Sequence, residues 1–426
     1  MKVALLGDAR SIHVRRLARG LAARSHDVHV ITHKPAAIEG VRVERFSIPG
    51  PGLRNPRRWA SRKRRHVRDI LRRFDVVNVH FLADWGLTPE LMREGCVIAT
   101  AWGSDVVHPP GEIPPDEQTV AARKTLLREA DAVTACGPTF ARRVAAWGGI
   151  DPARVEVVPF GVDVERFRPV PSQHASFSCS KPRTFARATD RDALPRRRER
   201  RRSAIPANVP DETEVSGRSS SPERRSDDMV SPWIEGSGDE APVVGFYKGF
   251  REVYGASYLV RAIPKVAARV PGVGFELIGD GPEREPCRRL TEVLGVADRA
   301  MFLPARPHGR LPRYLRRWAV SVIPSVCEAF GVAALESQAM EVPVVASRVG
   351  GLLDTVRDGE TGLLVEPCSA DALAEGIVKL LTDSALRRAM GRAGRRFVCE
   401  RFEQQKTLDQ WEAFYERVRE RSCVMV

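Results

Sequence analysis

Short apolar runs alternate along this chain with longer segments whose apolar residues recur at helical spacing. In the first half the strand-length runs are Val3–Leu6, Val28–Ile31, Val76–Val79, Val97–Thr100, Ala132–Ala135 and Val155–Val158. Segments such as Ile12–Arg24 and Thr119–Glu129 lie between them with helical periodicity. That order predicts a parallel, doubly wound sheet. The rhythm stops from about Pro171 to Glu240, where Ser, Arg, Pro, Asp and Glu dominate and Arg196–Arg202 forms a charge block. Such a segment buries too little apolar surface to offset its ordering entropy, so 171–240 reads as a disordered linker between domains. Alternation resumes with strand-like runs at Val243–Phe246, Gly274–Ile278, Ala300–Leu303, Val320–Ile323 and Val342–Ala346. Helical stretches accompany them at Ala256–Arg269, Leu373–Leu381 and Ala385–Phe397. A last helix, Glu403 to about Glu420, is apolar at Leu408, Trp411, Phe414, Tyr415 and Val418. The expected architecture is two Rossmann-like domains, 1–170 and 241–400, facing across a cleft. Residues 401–426 are expected to cross back onto the first domain.

Length supports that division, because 426 residues exceed what one hydrophobic core usually serves. No run of eighteen apolar residues occurs, so no membrane-spanning helix is expected. The opening Met1–Asp8 has too short an apolar stretch for a signal peptide and reads as a first buried strand. The eight cysteines are scattered without Cys-x-x-Cys spacing, which argues against a zinc ribbon and fits reduced thiols. A cytoplasmic protein is the expectation, with peripheral attachment to the inner face of a membrane as an extension of it.

That extension comes from charge. The net charge is +14, and ten basic residues lie between Arg54 and Arg73 against Asp69 alone. The stretch has three readings. It could be a solvated arginine-rich helix face, or a surface docking on anionic lipid with Trp59, Val67, Ile70, Leu71 and Phe74 as the apolar side. Nucleic-acid binding comes last, since no nucleic-acid motif accompanies it.

The chemistry concentrates between Val320 and Pro367. A buried strand ends at Pro324, a turn follows, and a helix is expected from near Ala329, with Glu328 at the turn and Glu336 inside the helix. Helical geometry would put the two carboxylates about 12 Å apart along the axis and about 80° apart around it. That is too far for both to act on one bond, and it suits two contacts to one elongated ligand. Free amides near Ala329–Val332 and the helix dipole would attract a diphosphate, and an acid a turn or two further along can accept both hydroxyls of a ribose. Glu328 would then face a transferred sugar on the other side of the phosphates. Gly331 would permit close backbone approach, and Gly350-Gly351 would form a second tight, phosphate-compatible loop.

Taken together, Pro324-Ser325, Glu328-x7-Glu336, Phe330-Gly331, Pro343–Ser347, Gly350-Gly351 and Asp358–Val365 resemble the nucleotide-sugar donor site of family 4 retaining glycosyltransferases. The first half is similar to the same family at Gly7-Asp8, at His80 after its strand, at Gly103-Ser104-Asp105, and at Val158–Asp163 before Phe167. The resemblance spans about residues 1–169 and 243–420. It implies a GT-B fold, a nucleotide-diphosphate-sugar donor, transfer with retention, and no catalytic metal. It implies that Glu336 binds the ribose and Glu328 a hydroxyl of the donor sugar, with backbone amides near Phe330 and Gly331 on the diphosphate. Asp105 and His80 are candidates on the catalytic side, with His13 as a further substitute, and a saccharide or lipid-linked acceptor is expected.

Several positions depart from the family pattern. Phe246 and Tyr254 stand where relatives commonly have Arg and Lys, and Lys248 and Arg251 nearby are assigned to the phosphates instead. Trp102 occupies the place of a common His, and Asp354 that of a common Glu. Three other classes stay open at this point: a sugar-nucleotide epimerase or hydrolase, a non-catalytic relative, and a nicotinamide oxidoreductase. The last is disfavoured because no Gly-x-Gly-x-x-Gly follows the first strand.

Overall fold

In a computed structural model, residues 1–47, 56–107, 113–169 and 241–424 are described. The expected linker 171–240, Arg54 and the side chain of Trp59 lie outside the described residues. The chain forms two parallel sheets. The first has seven strands in the order β3-β2-β1-β4-β5-β6-β7: β1 Lys2–Leu6, β2 Asp27–Thr32, β3 Arg42–Arg45, β4 Val76–His80, β5 Val97–Thr100, β6 Ala132–Ala135 and β7 Val155–Val157. The second has six in the order β10-β9-β8-β11-β12-β13: β8 Val243–Tyr247, β9 Gly274–Ile278, β10 Ala300–Leu303, β11 Trp318–Ile323, β12 Val344–Ser347 and β13 Gly362–Val365. Every pairing between these strands is parallel. Helices cover both faces, which is why the central runs are apolar without alternation. Val3, Val30, Val77, Val97 and Ile98 have no exposed surface, nor do Val244, Phe275 and Val320 in the second sheet.

Each sheet reverses its winding after its first strand, between β1 and β4 and again between β8 and β11. In open α/β sheets the crevice beyond the carboxyl ends of the strands at such a point is where ligands bind. The second sheet therefore directs Lys248 and the segment after Ile323 at the site, and the first directs Phe81.

The final helix, Gln404–Val424, packs on the first domain. Leu408, Trp411, Phe414, Tyr415 and Val418 share one core with Val14, Leu17 and Leu21 of the helix Ile12–Ala23. Asn78 in β4 donates to the buried Tyr415 hydroxyl at 2.8 Å. Arg24 pairs with Asp409 and Glu412 at 2.7 and 2.5 Å.

The basic stretch forms the helix Pro56–Arg73. Its apolar side is not available to lipid: Val67, Ile70, Leu71 and Phe74 are 2%, 5%, 1% and 6% exposed within the first domain's core. The amphipathic pattern read as a lipid-facing side is the helix's contact with its own sheet. Arg62, Arg64 and Arg65 remain exposed, while Arg68 and Arg72 pair with Glu94 and Arg73 with Glu44. No described helix is long and apolar enough to cross a membrane.

Candidate active site

The two domains enclose a cleft of about 410 Å³. Its first-domain wall is His13, Phe81, Trp102, Gly103, Ser104, Val107 and Phe160. Opposite lie Lys248, Arg251, Val253 and Tyr254 after β8, and the continuous segment Cys327–Ala333 after β11. Thus Lys248, Arg251, Glu328, Ala329, Phe330, Gly331 and Val332, all chosen from sequence, come together on one wall.

The segment after β11 is built differently from the expectation in one respect. The helix begins at Val332, not near Ala329, and runs Val332–Ala339. Gly331 precedes it at φ +95°, a left-handed turn that a side chain would strain. The separation of Glu328 and Glu336 is therefore not that of two residues on one helix. The diphosphate-facing amides would be those of Gly331, Val332 and Ala333, since the first intrahelical donor to Gly331 is Ala334.

Gly350 and Gly351 take a different place from the one expected. Neither lines the cleft; both lie behind the donor loop and brace it. Gly351 donates its N–H to the carbonyl of Glu328 at 2.9 Å. A Cβ on Gly350, whose φ is +46°, would sit 1.9 Å from that same carbonyl oxygen. Close backbone packing is what these two glycines allow here.

Glu328 accepts from Lys248 Nζ, and from the Ser325 hydroxyl at 3.0 Å. The Lys248 ammonium also sits 4.5 Å from the centre of the Tyr254 ring. Burial works against that ammonium, but the Glu328 carboxylate, aided by Tyr254, holds its pKa above the ordinary lysine value. A fixed positive charge thus stands beside Glu328 at the end of β8.

Glu336 is 3% exposed. Its Oε1 lies 2.7 Å from His308 Nε2 and 3.2 Å from the Arg16 guanidinium, and its Oε2 lies 3.2 Å from the Tyr247 hydroxyl. Burial pushes the carboxyl up, yet His308 and Arg16 outweigh it and keep it below the usual glutamate value. The acid is therefore ionised and preorganised. Sequence reasoning named Glu336 but none of its three partners, which come from the helix Ile12–Ala23, the end of β8 and the loop after β10. No local motif marks them.

Glu336 thus lies behind the cleft lining, and Asp105 and His80 do not face the cleft either. Asp105 is 2% exposed and turns its carboxylate onto the N–H groups of Trp102 and Gly103, at 3.1 and 2.7 Å. Burial raises its pKa against those bonds. It shapes the Trp102–Ser104 loop, and Gly103 and Ser104 do the lining. His80 is fully buried behind Trp102, ring centroids 5.0 Å apart, and neither ring nitrogen has a hydrogen-bond partner. Its pKa is lowered to about 3, by burial and by the nearby His13. His13 does reach the cleft, stacked on Phe160 at 4.2 Å and edge-on to Trp102 at 5.0 Å. Burial, with Arg16, lowers its pKa to about 3 as well, so its imidazole is neutral near pH 7. Among the described residues no group of three or more His, Cys, Asp or Glu side chains is arranged to hold a metal ion.

Two Rossmann-like domains that present opposed strand ends to one cleft, with a charged loop after the fourth strand of the second sheet, define the GT-B architecture. The profile described as Glycosyl transferases group 1 matches residues 230–397, and that described as Glycosyltransferase Family 4 matches 11–166. A D-inositol 3-phosphate glycosyltransferase of Acidothermus cellulolyticus is 30% identical over 89% of this chain and 80% of its own length. A GDP-mannose-dependent alpha-(1-6)-phosphatidylinositol monomannoside mannosyltransferase of Mycolicibacterium smegmatis is 35% identical over 35% of this chain and 41% of its own. Among solved structures, sucrose-phosphate synthase of Thermosynechococcus elongatus superposes with a TM-score of 0.69 at 22% identity, covering 98% of this chain and 99% of that one. Anabaena HepE, solved in complex with UDP and glucose, gives 0.68 at 16% identity, covering 98% and 100%. The chain belongs to glycosyltransferase family 4, and it is a group 1 glycosyltransferase that uses a nucleotide sugar.

Proposed function

We propose that this enzyme transfers a sugar, with retention of anomeric configuration, from a nucleoside-diphosphate sugar bound by the second domain to an acceptor held on the first. The observation that supports this is that Lys248, Glu328 and the segment Gly331–Ala333 line one wall of the cleft, with Glu336 buried directly behind it in the helix Val332–Ala339. The succession Glu328, Gly331–Ala333, Glu336 along the chain suits sugar, diphosphate and pentose in turn. Glu336 would take the ribose hydroxyls, the amides with Lys248 and Arg251 the diphosphate, and Glu328 a hydroxyl of the sugar.

As the glycosidic bond breaks, charge develops on the departing diphosphate. Preorganised amides and the Lys248 ammonium would stabilise it without a metal ion. Side chains near the reacting carbon then need not form a covalent bond to sugar, and the acceptor attacks on the face the diphosphate leaves. The acceptor's proton passes to an oxygen of the departing diphosphate, since His13, with its pKa lowered to about 3, is too weak a base to take it.

Both quoted relatives are named for acceptors that contain inositol, so an inositol phosphate or an inositol lipid is the acceptor class to try first, with saccharides second. Attachment to an anionic membrane would rest, among the described residues, on exposed arginines such as Arg62, Arg64 and Arg65. Co-sedimentation with anionic vesicles at low salt tests it, and no binding there removes it.

The function is tested by incubating the enzyme with a panel of nucleotide sugars and these acceptors, then determining product linkage by NMR. Transfer with the donor's anomeric configuration is expected. Release of free sugar alone, or an inverted product, would contradict the reading.

A further inference from the structure

We propose that Arg16 occupies, in the ligand-free enzyme, the position on Glu336 that the donor's pentose must take, so that donor binding displaces an interdomain latch. This rests on the reading of Glu336 as the ribose acceptor.

Of the three side chains on Glu336, His308 and Tyr247 belong to the same domain as Glu336 and move with it. Tyr247 is tied further to the carbonyl of Ala333 at 2.8 Å. Arg16 comes from the other domain, on the helix Ile12–Ala23, and its guanidinium also lies 2.8 Å from His308 Nε2. Opening the cleft would carry Arg16 away and leave His308 and Tyr247 in place. The pair is strong where it stands, because the Glu336 side chain is 4% exposed and that of Arg16 19%, and a desolvated, charge-assisted contact is little screened.

A carboxylate offers about four acceptor positions. Here Oε1 already serves His308 and Arg16, and Oε2 faces Tyr247. A ribose diol needs both oxygens, so it and the guanidinium cannot hold Glu336 together. The closed state without nucleotide is stabilised by Arg16–Glu336, and that stabilisation is subtracted from the apparent affinity for the donor. After transfer the same contact would re-form as nucleotide leaves, favouring release.

A second interdomain contact provides a control. Asp354 accepts from the backbone N–H and the hydroxyl of Thr139, at 2.9 and 2.8 Å, without touching Glu336. Loosening it weakens domain contact in general but vacates no ribose position.

The experiment is calorimetric titration with UDP, GDP and ADP of the wild type, Arg16→Met, Arg16→Gln, Thr139→Val and Glu336→Gln. With the nucleotide that binds the wild type best, the Arg16 variants are expected to bind about 5-fold tighter or more, while Thr139→Val stays near the wild-type value. Gln in place of Arg16 keeps length and hydrogen-bonding capacity, so it serves should the Met variant not fold. Unchanged or weaker binding in the Arg16 variants, or an equal gain in Thr139→Val, would overturn the latch. If no nucleotide binds the wild type, or if Glu336→Gln binds as well as the wild type does, it is the assignment of the donor site that fails instead.

Discussion

The carboxylate of Asp354 crosses from the second domain to the start of a first-domain helix, Pro138–Gly148, where it accepts both the N–H and the hydroxyl of Thr139. That helix has Gly137 at its cap position and no side-chain cap of its own. The missing cap is thus supplied across the domain boundary. Asp354→Ala should cost about 1 kcal/mol of stability, and the loss should appear in chemical denaturation as reduced cooperativity between the domains. An unchanged midpoint and slope would show that the contact is not made in solution.

Lys248 pairs with the Glu328 carboxylate, and both face the cleft. Removing it leaves an acid without its partner and a departing diphosphate with less positive charge. Lys248→Met should lower kcat about 100-fold with a much smaller effect on nucleotide affinity. Steady-state kinetics beside nucleotide titration separates the two. A change confined to KM would mean that Lys248 only binds.

Gly350 sets the shape of the donor loop from behind. An added Cβ would meet the Glu328 carbonyl at 1.9 Å, on a backbone already at φ +46°. Gly350→Ala should therefore destabilise the second domain by about 2 kcal/mol and displace Glu328, reducing turnover more than nucleotide binding. Thermal melting together with kcat checks it, and wild-type behaviour in both would contradict the packing described.

Two histidines, His80 in the core and His13 partly exposed at the cleft wall, predict acid sensitivity of a definite sign. His80 and His13 have folded-state pKa values lowered to about 3 from an ordinary 6.5. Above about pH 6.5 both states are neutral and nothing is lost. As pH falls from there toward 3, the unfolded chain takes up protons that the fold refuses, so stability declines. At pH 5 the loss is up to about 2 kcal/mol for His80, and less for His13, whose contact with the cleft lets solvent screen its charge. Denaturant unfolding at pH 7 and pH 5 should show a smaller decline in His80→Phe than in the wild type. An equal decline would mean that His80 titrates normally.

The two sheets were legible because parallel strands buried on both faces leave unbroken apolar runs, such as Val76–Val79 and Gly274–Ile278. Missed strands lacked that signature. β3 is Arg-Val-Glu-Arg on a sheet edge, where polar residues are tolerated. Gly362–Val365 was noticed as part of a motif but not as a strand. The helix Arg284–Val293 buries only Cys287 and Thr291, too little to show a periodic apolar face. On the site, the donor wall was readable because Lys248, Arg251 and the Glu328–Glu336 segment are each nearly contiguous in sequence. The helix start was misplaced by three residues, since Gly331 in a left-handed turn delays it. What could not be read were relations between distant segments: Arg16 and His308 on Glu336, Trp102 shielding His80, and the inward turn of Asp105. These depend on how strand ends and domains meet, which no local pattern encodes.

The central claim is that one carboxylate holds the pentose and the other the sugar. The most direct measurement compares binding of nucleoside diphosphate and of intact nucleotide sugar by Glu336→Gln and Glu328→Gln. Glu336→Gln should lose about 10-fold or more in affinity for both ligands, whereas Glu328→Gln should bind the diphosphate normally and lose affinity only for the nucleotide sugar. If Glu336→Gln binds nucleoside diphosphate as the wild type does, or if both variants lose it equally, the two carboxylates do not divide the donor in this way.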